Sequence, residues 1–423
     1  MRHVTSLIAL ALLAACGGDG AGSAAGAAKA AVRDSSGVAI WEYSAAGWAA
    51  APELKLSAQP LTTVGGEEGD TTMDLSAGIV GASAASVGRL LPDGRIVLVA
   101  GQPAQILMVD TTGKKSGTIG RPGEGPGEYR MVTQLLLMRG DTLVAYDVMR
   151  RKGILFGLDG SSRGERDFPT AGRLPIAPTI IGILNDGTSI HRMDGFDPAP
   201  PSGGDVNSYQ LPLPIVALVP GGMRYDTLFV SKGIEMYSST MSFQGQTATI
   251  PRAVAFGKVP LVVVAPDAIW LTPADRFELQ RHGTGGALLQ VIRVEMPQRP
   301  VASSDQEEFK RVMREALTRF KSMAPPALID AEIKKLDDTH FAAHLPAIGQ
   351  LMTDPTGAVW ANVGGSPLDS TTTWGVFGPD GALQGRVTLP KGTLFAAGKD
   401  RVVVRREDPE TGLIRLEVWG ITR

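Results

Sequence analysis

The stretch LPDGRIVLVAGQPAQILMVDTTGKKSGTIGRPGEGPGEY, residues 91–129, contains three short runs rich in Val, Ile or Thr. Each run is bounded by Gly or Asp, and a turn at Asp93 and Gly94 precedes the first one. Such runs are typical of antiparallel strands joined by tight turns. The three predicted strands are 95–99, 106–110 and 115–119. The stretch therefore predicts a β-hairpin unit, and the recurrence of this unit along the chain decides the fold.

Six units of this kind follow one another. Each opens at a Gly or Asp turn residue and continues through a short apolar strand into a second apolar run. The turn residues are Gly94, Asp141, Gly187, Asp267, Gly357 and Asp400. Three of the five intervals between them are 43 to 47 residues long, which is close to the period of a four-stranded propeller blade. The other two, of 80 and 90 residues, contain insertions. The pattern predicts an all-β chain folded as a six-bladed β-propeller.

The last unit is too short to form a complete blade, because only 23 residues follow Asp400. A ring of blades keeps an exposed edge unless another strand completes it. The run LTTVG at 61–65 resembles SGTIG at 116–120, the last strand of the first unit. We therefore expect the strand at 61–64 to complete the last blade and close the ring. A further strand is predicted at 38–43.

A helical insertion is predicted at about 303–340, between the fourth and fifth blades. Ser304 and Glu307 have the spacing of a capping box. A continuous apolar stripe follows at helical spacing: Phe309, Val312, Met313, Ala316, Leu317 and Phe320. Such a stripe needs a packing partner, and we expect it to cover apolar surface on the rim or outer face of the propeller. A lid over the central channel is the functional alternative.

The composition fits a chain with many turns. Among 423 residues there are 52 Gly and 29 Pro, and only 20% are charged, which suits an all-β architecture better than a helical one. The net charge of -2 gives no electrostatic argument for nucleic acid or an anionic membrane as a partner. Because the chain has one cysteine, it forms no intramolecular disulfide.

The N-terminus has the organisation of a lipoprotein signal. Arg2 precedes an apolar run at 4–15 that has the length of a signal-peptide core. The sequence LAAC at 13–16 resembles the lipobox of bacterial lipoproteins, and this resemblance implies acylation of Cys16 and cleavage before it. An ordinary secretory signal is the alternative. Gly17 after the cysteine favours the outer membrane. The predicted domains are a signal peptide at 1–15, a flexible tether at 16–33 and a propeller at 34–423.

Three stretches carry a family resemblance. DSSGVAI at 34–40, LPDGRIVLV at 91–99 and IGRPGEGPGEY at 119–129 resemble bacterial six-bladed β-propeller lipoproteins with NHL-like repeats. The resemblance covers nearly all of the mature chain, and the most specific part is the core at 123–128. It implies a lipid-anchored propeller of the cell envelope. The family carries no settled reaction that could be transferred with the fold.

The most distinctive candidate ligand loop is the stretch 121–129. Its Gly and Pro residues shape a tight loop from which four side chains project: Arg121, Glu124, Glu128 and Tyr129. A phosphate cradle would require the loop to lead into a helix N-terminus, whereas here strands surround it. We interpret it as a connection between blades whose glycines permit positive φ angles, in preference to a ligand site.

Two further motifs are weak. The sequence GSSRG at 160–164 matches the G-x-S-x-G pattern of hydrolases, but it lacks the strand-to-helix context of that motif and is interpreted as part of a hairpin. Asp337, His340 and His344 would share one face if their segment were helical, and they are the candidate zinc ligands. A solvated loop is the favoured alternative, because no fourth ligand is identified.

The remaining His and Trp residues have structural interpretations. His191 and His282 are isolated on predicted strands and are interpreted as satisfied structural residues. Trp270 and Trp360 occupy equivalent places in their units, which favours packing between blades over a sugar platform. No HExxH, P-loop or EF-hand spacing occurs, so the sequence predicts no cofactor.

The sequence favours a non-enzymatic, lipid-anchored binding or scaffold protein. Its predicted contacts are the membrane, through the acyl chains, and an unidentified protein or small molecule held by loops at one end of the channel. The alternative is an envelope hydrolase, with a metal-assisted lactonase-like or esterase-like site at the channel mouth. That activity needs several Asp, Glu, Asn or His side chains to converge on the axis. A structural role in a surface complex is the third hypothesis.

Overall fold

A computed structural model describes residues 30–75, 87–139, 141–169, 178–193, 208–243, 246–319, 325–408 and 410–422. The predicted signal peptide and Cys16 lie outside these residues. The N-terminal elements are β1 (Ala31–Ser35), β2 (Val38–Tyr43), helix α1 (Ala45–Ala49), β3 (Lys55–Leu56) and β4 (Thr62–Gly65).

Six antiparallel sheets follow, and we number them as blades 1 to 6. Blade 1 consists of β5 (Gly88–Leu90), β6 (Ile96–Ala100), β7 (Gln105–Val109) and β8 (Lys115–Ile119). Two short parallel strands come next, β9 (Arg121–Pro122) and β10 (Glu128–Tyr129). Blade 2 consists of β11 (Val132–Met138), β12 (Thr142–Asp147), β13 (Lys152–Gly157) and β14 (Ser162–Asp167).

Blade 3 contains five strands: β15 (Thr179–Ile183), β16 (Ser189–Arg192), β17 (Tyr209–Leu218), β18 (Asp226–Phe243) and β19 (Gln246–Ala253). Blade 4 consists of β20 (Leu261–Ala265), β21 (Ala268–Thr272), β22 (Glu278–Gly283) and β23 (Leu288–Val294). The helical insertion contains α2 (Ser303–Arg319), α3 (Pro326–Lys334) and a 3₁₀ helix (Lys335–Asp338). Blade 5 consists of β24 (Ile348–Thr353), β25 (Val359–Val363), β26 (Thr371–Phe377) and β27 (Leu383–Pro390). Blade 6 contains β28 (Thr393–Ala397), β29 (Arg401–Glu407) and β30 (Ile414–Thr422).

The six blades form a closed ring. The first strand of each blade contacts the first strands of the two neighbouring blades, and blade 6 contacts blade 1 in the same way. These first strands surround the central axis, and the later strands of each blade lie progressively further out. The predicted all-β, six-bladed propeller is confirmed, and each of the six predicted turn residues lies next to the second strand of its blade.

The N-terminal strand closes the ring, as the sequence predicts. Strand β4 pairs antiparallel with β30, from Thr62 opposite Val418 to Gly65 opposite Arg415. The side chain of Val64 is buried in the apolar core that it shares with blades 6 and 1. The short strand β3 extends the same edge by pairing with the end of β30. Closure therefore joins residues far apart in sequence and removes the open edge of blade 6.

The segment before β4 also binds the outer edges of blades 4 and 5. Strand β2 pairs in parallel with β23, the outer strand of blade 4, and β1 pairs with β2. Further along, the backbone of Pro52 and Leu54 exchanges hydrogen bonds of 2.7 and 2.8 Å with Arg386 of β27. Because β1 begins at Ala31, the ordered strand starts three residues before the predicted propeller boundary at Asp34. We call residues 31–65 the N-terminal strap.

Apolar side chains pack in layers between neighbouring blades. Trp270 of blade 4 and Trp360 of blade 5 are both buried at the second strand of their blades, which confirms their predicted core role. The indole nitrogen of Trp360 donates to Asp354 at 3.0 Å. Trp48 of α1 packs on Phe277 and Phe377, so the strap also contributes to the core between blades 4 and 5.

The two ends of the ring differ. At one end, which we call the tight-turn end, connections of two to seven residues join the first strand of a blade to its second and the third to its fourth. The other connections emerge at the opposite end, because strand direction alternates within each blade. Every connection longer than seven residues between strands of the ring is found there. We call it the long-loop end.

The helical insertion follows the predicted range but differs in detail. The predicted capping box of Ser304 and Glu307 is wrong. Instead, the carboxylate of Asp305 accepts the backbone N–H of Ala302 at 2.9 Å, and the helix begins at Ser303, two residues before the predicted first helical residue. The stripe is only partly buried: Phe309 contacts Phe256 and Phe341, Ala316 and Leu317 are half-buried, and Val312 and Met313 are exposed. Phe320 lies outside the described residues.

Candidate functional site

The inner strands of the ring lie close together around the axis. A side chain at Gly88 of blade 1 would collide with Phe395 of blade 6, and one at Gly182 of blade 3 would collide with Val264 of blade 4. Glycine therefore permits these two contacts between blades. The Gln350 amide exchanges hydrogen bonds of 2.7 and 3.3 Å with the backbone of Leu394 in blade 6. The inner ring is thus held by apolar packing and by side-chain bonds between blades.

Within the part of the chain that the structure describes, no group of three or more His, Cys, Asp or Glu side chains could hold a metal ion. The helical premise for the zinc candidates is wrong, because the 3₁₀ helix ends at Asp338 and an extended segment follows. The ring of His340 packs at a tilt against Tyr237, with ring centroids 5.1 Å apart. The backbone of His344 instead bridges to Pro300. Asp337, His340 and His344 therefore do not share a helix face.

The candidate ligand loop connects blade 1 to blade 2, as the favoured interpretation predicts. Glu128 accepts from Arg121 at 2.7 Å and from the Gly125 backbone N–H at 2.8 Å. The Gly125 N–H, followed by the Arg121 side chain, lowers the pKa of the Glu128 carboxyl. Glu124 pairs with Arg130 at 3.1 Å. Three of these four charged side chains are largely exposed, but their charges are already paired within the loop.

Tyr129 is the one candidate residue of this loop that the structure buries. Its hydroxyl accepts the backbone N–H of Ile106 at 2.9 Å, and burial raises its pKa. Gly120 and Gly127 adopt positive φ angles of 61° and 73°. A side chain at Gly120 would meet Phe156 and the Gly127 carbonyl. The loop is thus packed on blade 2, and Tyr129 is a structural residue rather than an exposed contact.

Sequence reasoning missed the buried carboxylate that organises this region. Asp147 ends the second strand of blade 2 and is fully buried. It accepts backbone N–H bonds from Arg130, Met149 and Arg150 at 2.6, 3.0 and 3.1 Å. These donors belong to two different loops at the long-loop end, so Asp147 fixes one loop against the other. An Asp at the end of a strand followed by basic residues was the only available signal.

The two isolated histidines are buried structural residues, but the prediction that both are satisfied holds only for His191, because Nε2 of His282 is buried without a hydrogen-bond partner. His191 of β16 is fully buried and lies 3.2 Å from the Pro178 carbonyl and 2.9 Å from the Ser189 hydroxyl. Burial lowers its pKa to about 4. His282 of β22 stacks on Phe229 with ring centroids 3.9 Å apart, and burial lowers its pKa too. The His191 ring is therefore neutral at pH 7.

The G-x-S-x-G match has no hydrolase geometry. Residues 160–161 form the turn before β14, and Ser162 begins that strand, as the hairpin interpretation predicts. The hydroxyl of Ser161 donates to Asp159 at 2.6 Å. This is a local bond within the turn, and a strand-to-helix elbow is not formed here.

The helical insertion is held at the long-loop end by contacts to three blades. Asp305 accepts a hydrogen bond from Ser366 of blade 5, and this bond lowers the pKa of the carboxyl. Glu332 pairs with Arg252 of β19 in blade 3 at 2.7 Å. Arg319 lies 3.4 Å from Glu407 of blade 6. The insertion therefore contacts a loop of blade 5, the outermost strand of blade 3 and the end of strand β29 in blade 6.

Comparisons with known proteins agree with this architecture. Residues 89–177 match a family model described as a 6-bladed beta-propeller. This range covers blades 1 and 2 and the connection after them. No curated protein sequence matches the chain.

Solved structures with distant similarity cover most of the chain. A Bacteroides fragilis protein described as exported is 12% identical over 90% of this chain and 99% of its own, with a TM-score of 0.44. A member of the DUF4221 family from Bacteroides vulgatus is 8% identical over 88% and 99%, with a TM-score of 0.43. The calcium-binding protein regucalcin from Agrobacterium tumefaciens is 10% identical over 88% and 96%, with a TM-score of 0.35.

None of the helices in the described residues is both long enough and apolar enough to cross a bilayer.

Proposed function

We propose that the protein is a lipid-anchored propeller of the cell envelope that binds a protein or small-molecule partner through its long-loop end. One observation carries the proposal: every connection longer than seven residues between strands of the ring emerges at that end. Loops on a rigid scaffold supply variable contact surface without disturbing the core that holds them. The tight turns at the other end leave little such surface.

Two exposed apolar side chains at the long-loop end are available for such a contact. Met149 is 61% exposed in the turn after Asp147, and Leu368 is 51% exposed in the loop that contacts the insertion. The hydrolase alternative has no comparable support, because the described residues offer no convergent set of His, Cys, Asp or Glu side chains. A binding or scaffold role is therefore the better conclusion.

The lipid anchor is tested by Cys16→Ser. We expect this variant to move from the membrane to the soluble fraction and to lose incorporation of a labelled fatty acid. A second, uncharged change such as Ser23→Ala in the predicted tether is the control and should leave both properties intact. Unchanged membrane retention of the Cys16→Ser variant would contradict the anchor.

The contact surface is tested by photo-crosslinking in intact cells. A photoreactive amino acid is placed at Met149 of the long-loop end or at Met223 of the tight-turn end, which is 75% exposed. We expect specific adducts from position 149 and none from position 223. Adducts formed only from position 223, or equally from both, would overturn the assignment of the surface.

A further inference from the structure

The helical insertion exposes an apolar face. Val312 and Met313 of α2 are 45% and 36% exposed, and Leu328 of α3 is 40% exposed. Phe309, at the start of the same stripe, is the residue that packs against the ring, on Phe256 and Phe341. Ala316 and Leu317 of the same stripe are half-buried, so the exposed apolar surface of the helix pair consists of Val312 and Met313 of α2 and Leu328 of α3.

The chain enters the ring beside the base of this insertion. Ala31 of β1 pairs with Glu42 of β2, and Glu42 pairs with Arg293 of β23. Adjacent strands are about 4.8 Å apart, so Ala31 lies roughly 10 Å from Arg293. The insertion begins directly after β23, where the backbone N–H of Glu295 donates to Tyr43 at 2.8 Å. The N-terminal entry point and the base of the insertion are thus neighbours.

The length of the preceding chain sets the distance to the anchor. Residues 16–30 separate the proposed acylation site from β1 and are rich in Gly, Ala and Ser. A chain of this composition and length spans about 20 Å on average. A bilayer that holds the acyl groups therefore lies within reach of the insertion. Val32, which is 55% exposed on β1, adds apolar surface on the approach.

We propose that the exposed apolar face of the insertion docks on the lipid surface that holds the anchor. The inference rests on the proposed acylation of Cys16. Val312, Met313 and Leu328 would enter the interface between headgroups and acyl chains, while the exposed Arg314 remains among the headgroups. The charge of Arg311 is already paired with Glu308 and Glu315 on the same helix. Tethering raises the local concentration of lipid surface, so a weak helix contact becomes populated. The ring is then oriented relative to the membrane.

The test imposes the anchor chemically. The chain from Cys16 onward contains one thiol and retains every described residue, so it can be coupled to a maleimide lipid in vesicles of phosphatidylethanolamine and phosphatidylglycerol. Hydrogen exchange is compared with the same protein capped by a small maleimide in solution. We expect exchange in α2 to slow about tenfold on vesicles, while the turn around Met223 is unchanged.

Two variants make the result specific. Val312→Asp combined with Met313→Asp places charge on the proposed docking face and should abolish the protection. Met223→Asp, at a more exposed apolar site of the tight-turn end, should not. Equal exchange in α2 with and without vesicles would overturn the proposal, as would protection that survives the double substitution. Mass spectrometry of the native N-terminus tests acylation separately, so failure of the anchor and failure of the docking are distinguished.

Discussion

The same strands connect the tight-turn end and the long-loop end of the ring, but Asp side chains accept different hydrogen bonds at the two ends. At the tight-turn end, Asp side chains cap their own turns: Asp354 accepts from the backbone N–H and hydroxyl of Thr356, and Asp110 does the same for Thr112. At the long-loop end, Asp147 instead joins two separate loops. The long-loop end also contains local caps, such as Asp408 accepting from Thr411, but it adds contacts such as those of Asp147 that join separate loops.

The largest effect on stability is expected at the closing strand β4, which runs between the two ends of the ring. Val64→Asp places a carboxylate in the core of the closing strand β4. Because a buried, unpaired charge is costly, we expect a loss of at least about 4 kcal/mol in the free energy of unfolding. Chemical denaturation measures it. Leu61→Asp, at a 59% exposed position just before the same strand, is the control, and equal losses would show that β4 does not close the ring.

Acid should weaken the interior near the long-loop end of blade 3. Burial lowers the pKa of His191 to about 4, while an unfolded His has a pKa of about 6.5. Between these values the unfolded chain binds more protons, so stability rises with pH. The contribution is complete above about pH 6.5 and is lost as pH falls toward 4, by about 3 kcal/mol. Denaturation of the wild type and His191→Gln across this range measures it, and parallel pH profiles would contradict it.

At the tight-turn end, removing a buried cap should cost less. Asp354→Ala leaves the buried indole N–H of Trp360 and two backbone donors without their acceptor. We expect a loss of about 2 kcal/mol, measured by thermal or chemical unfolding. Asp380→Ala, at an exposed turn of blade 5 with one backbone donor at 3.2 Å, should cost less than about 1 kcal/mol. A loss at Asp380 as large as at Asp354 would argue against this explanation.

The smallest effect is expected in the candidate ligand loop. Arg121 and Glu124 are 79% and 73% exposed. Exposed ion pairs contribute little, so Arg121→Ala and Glu124→Ala should each change stability by less than about 0.5 kcal/mol. Denaturation midpoints check this. A loss above about 1 kcal/mol for either variant would show that its ion pair, Arg121 with Glu128 or Glu124 with Arg130, stabilises the fold. If the prediction holds, both variants are suitable for testing partner binding without loss of the fold.

The sequence predicted the ring because its signals are local. Turn residues such as Gly94 and Gly357 adopt positive φ angles of 86° and 83°, which glycine permits without strain, and each lies between two strands of one blade. The interval between such turns then indicates the number of blades. Strand β4 was also predictable, because an incomplete last unit requires a partner for its open edge.

Other features depend on segments that meet only in the folded chain. Strand β2 was recognisable, but no local pattern showed that it would join blade 4 in parallel, because strand pairing depends on the neighbour available in space. The periodicity of α2 predicted an apolar stripe and gave no information about which part would be covered. Asp305 was not predicted as the cap, since Ser304 and Glu307 offered a competing local signal.

The sequence by itself determined the number of blades, the turns that separate their strands and the strand that closes the ring. These follow from backbone conformation and from strand edges that must be paired. Only the tertiary structure decided that the long loops share one end, that the strap binds blades 4 to 6 and that the insertion leaves Val312 and Met313 exposed. The reason is physical: burial and pairing between distant segments depend on the packing of the whole ring.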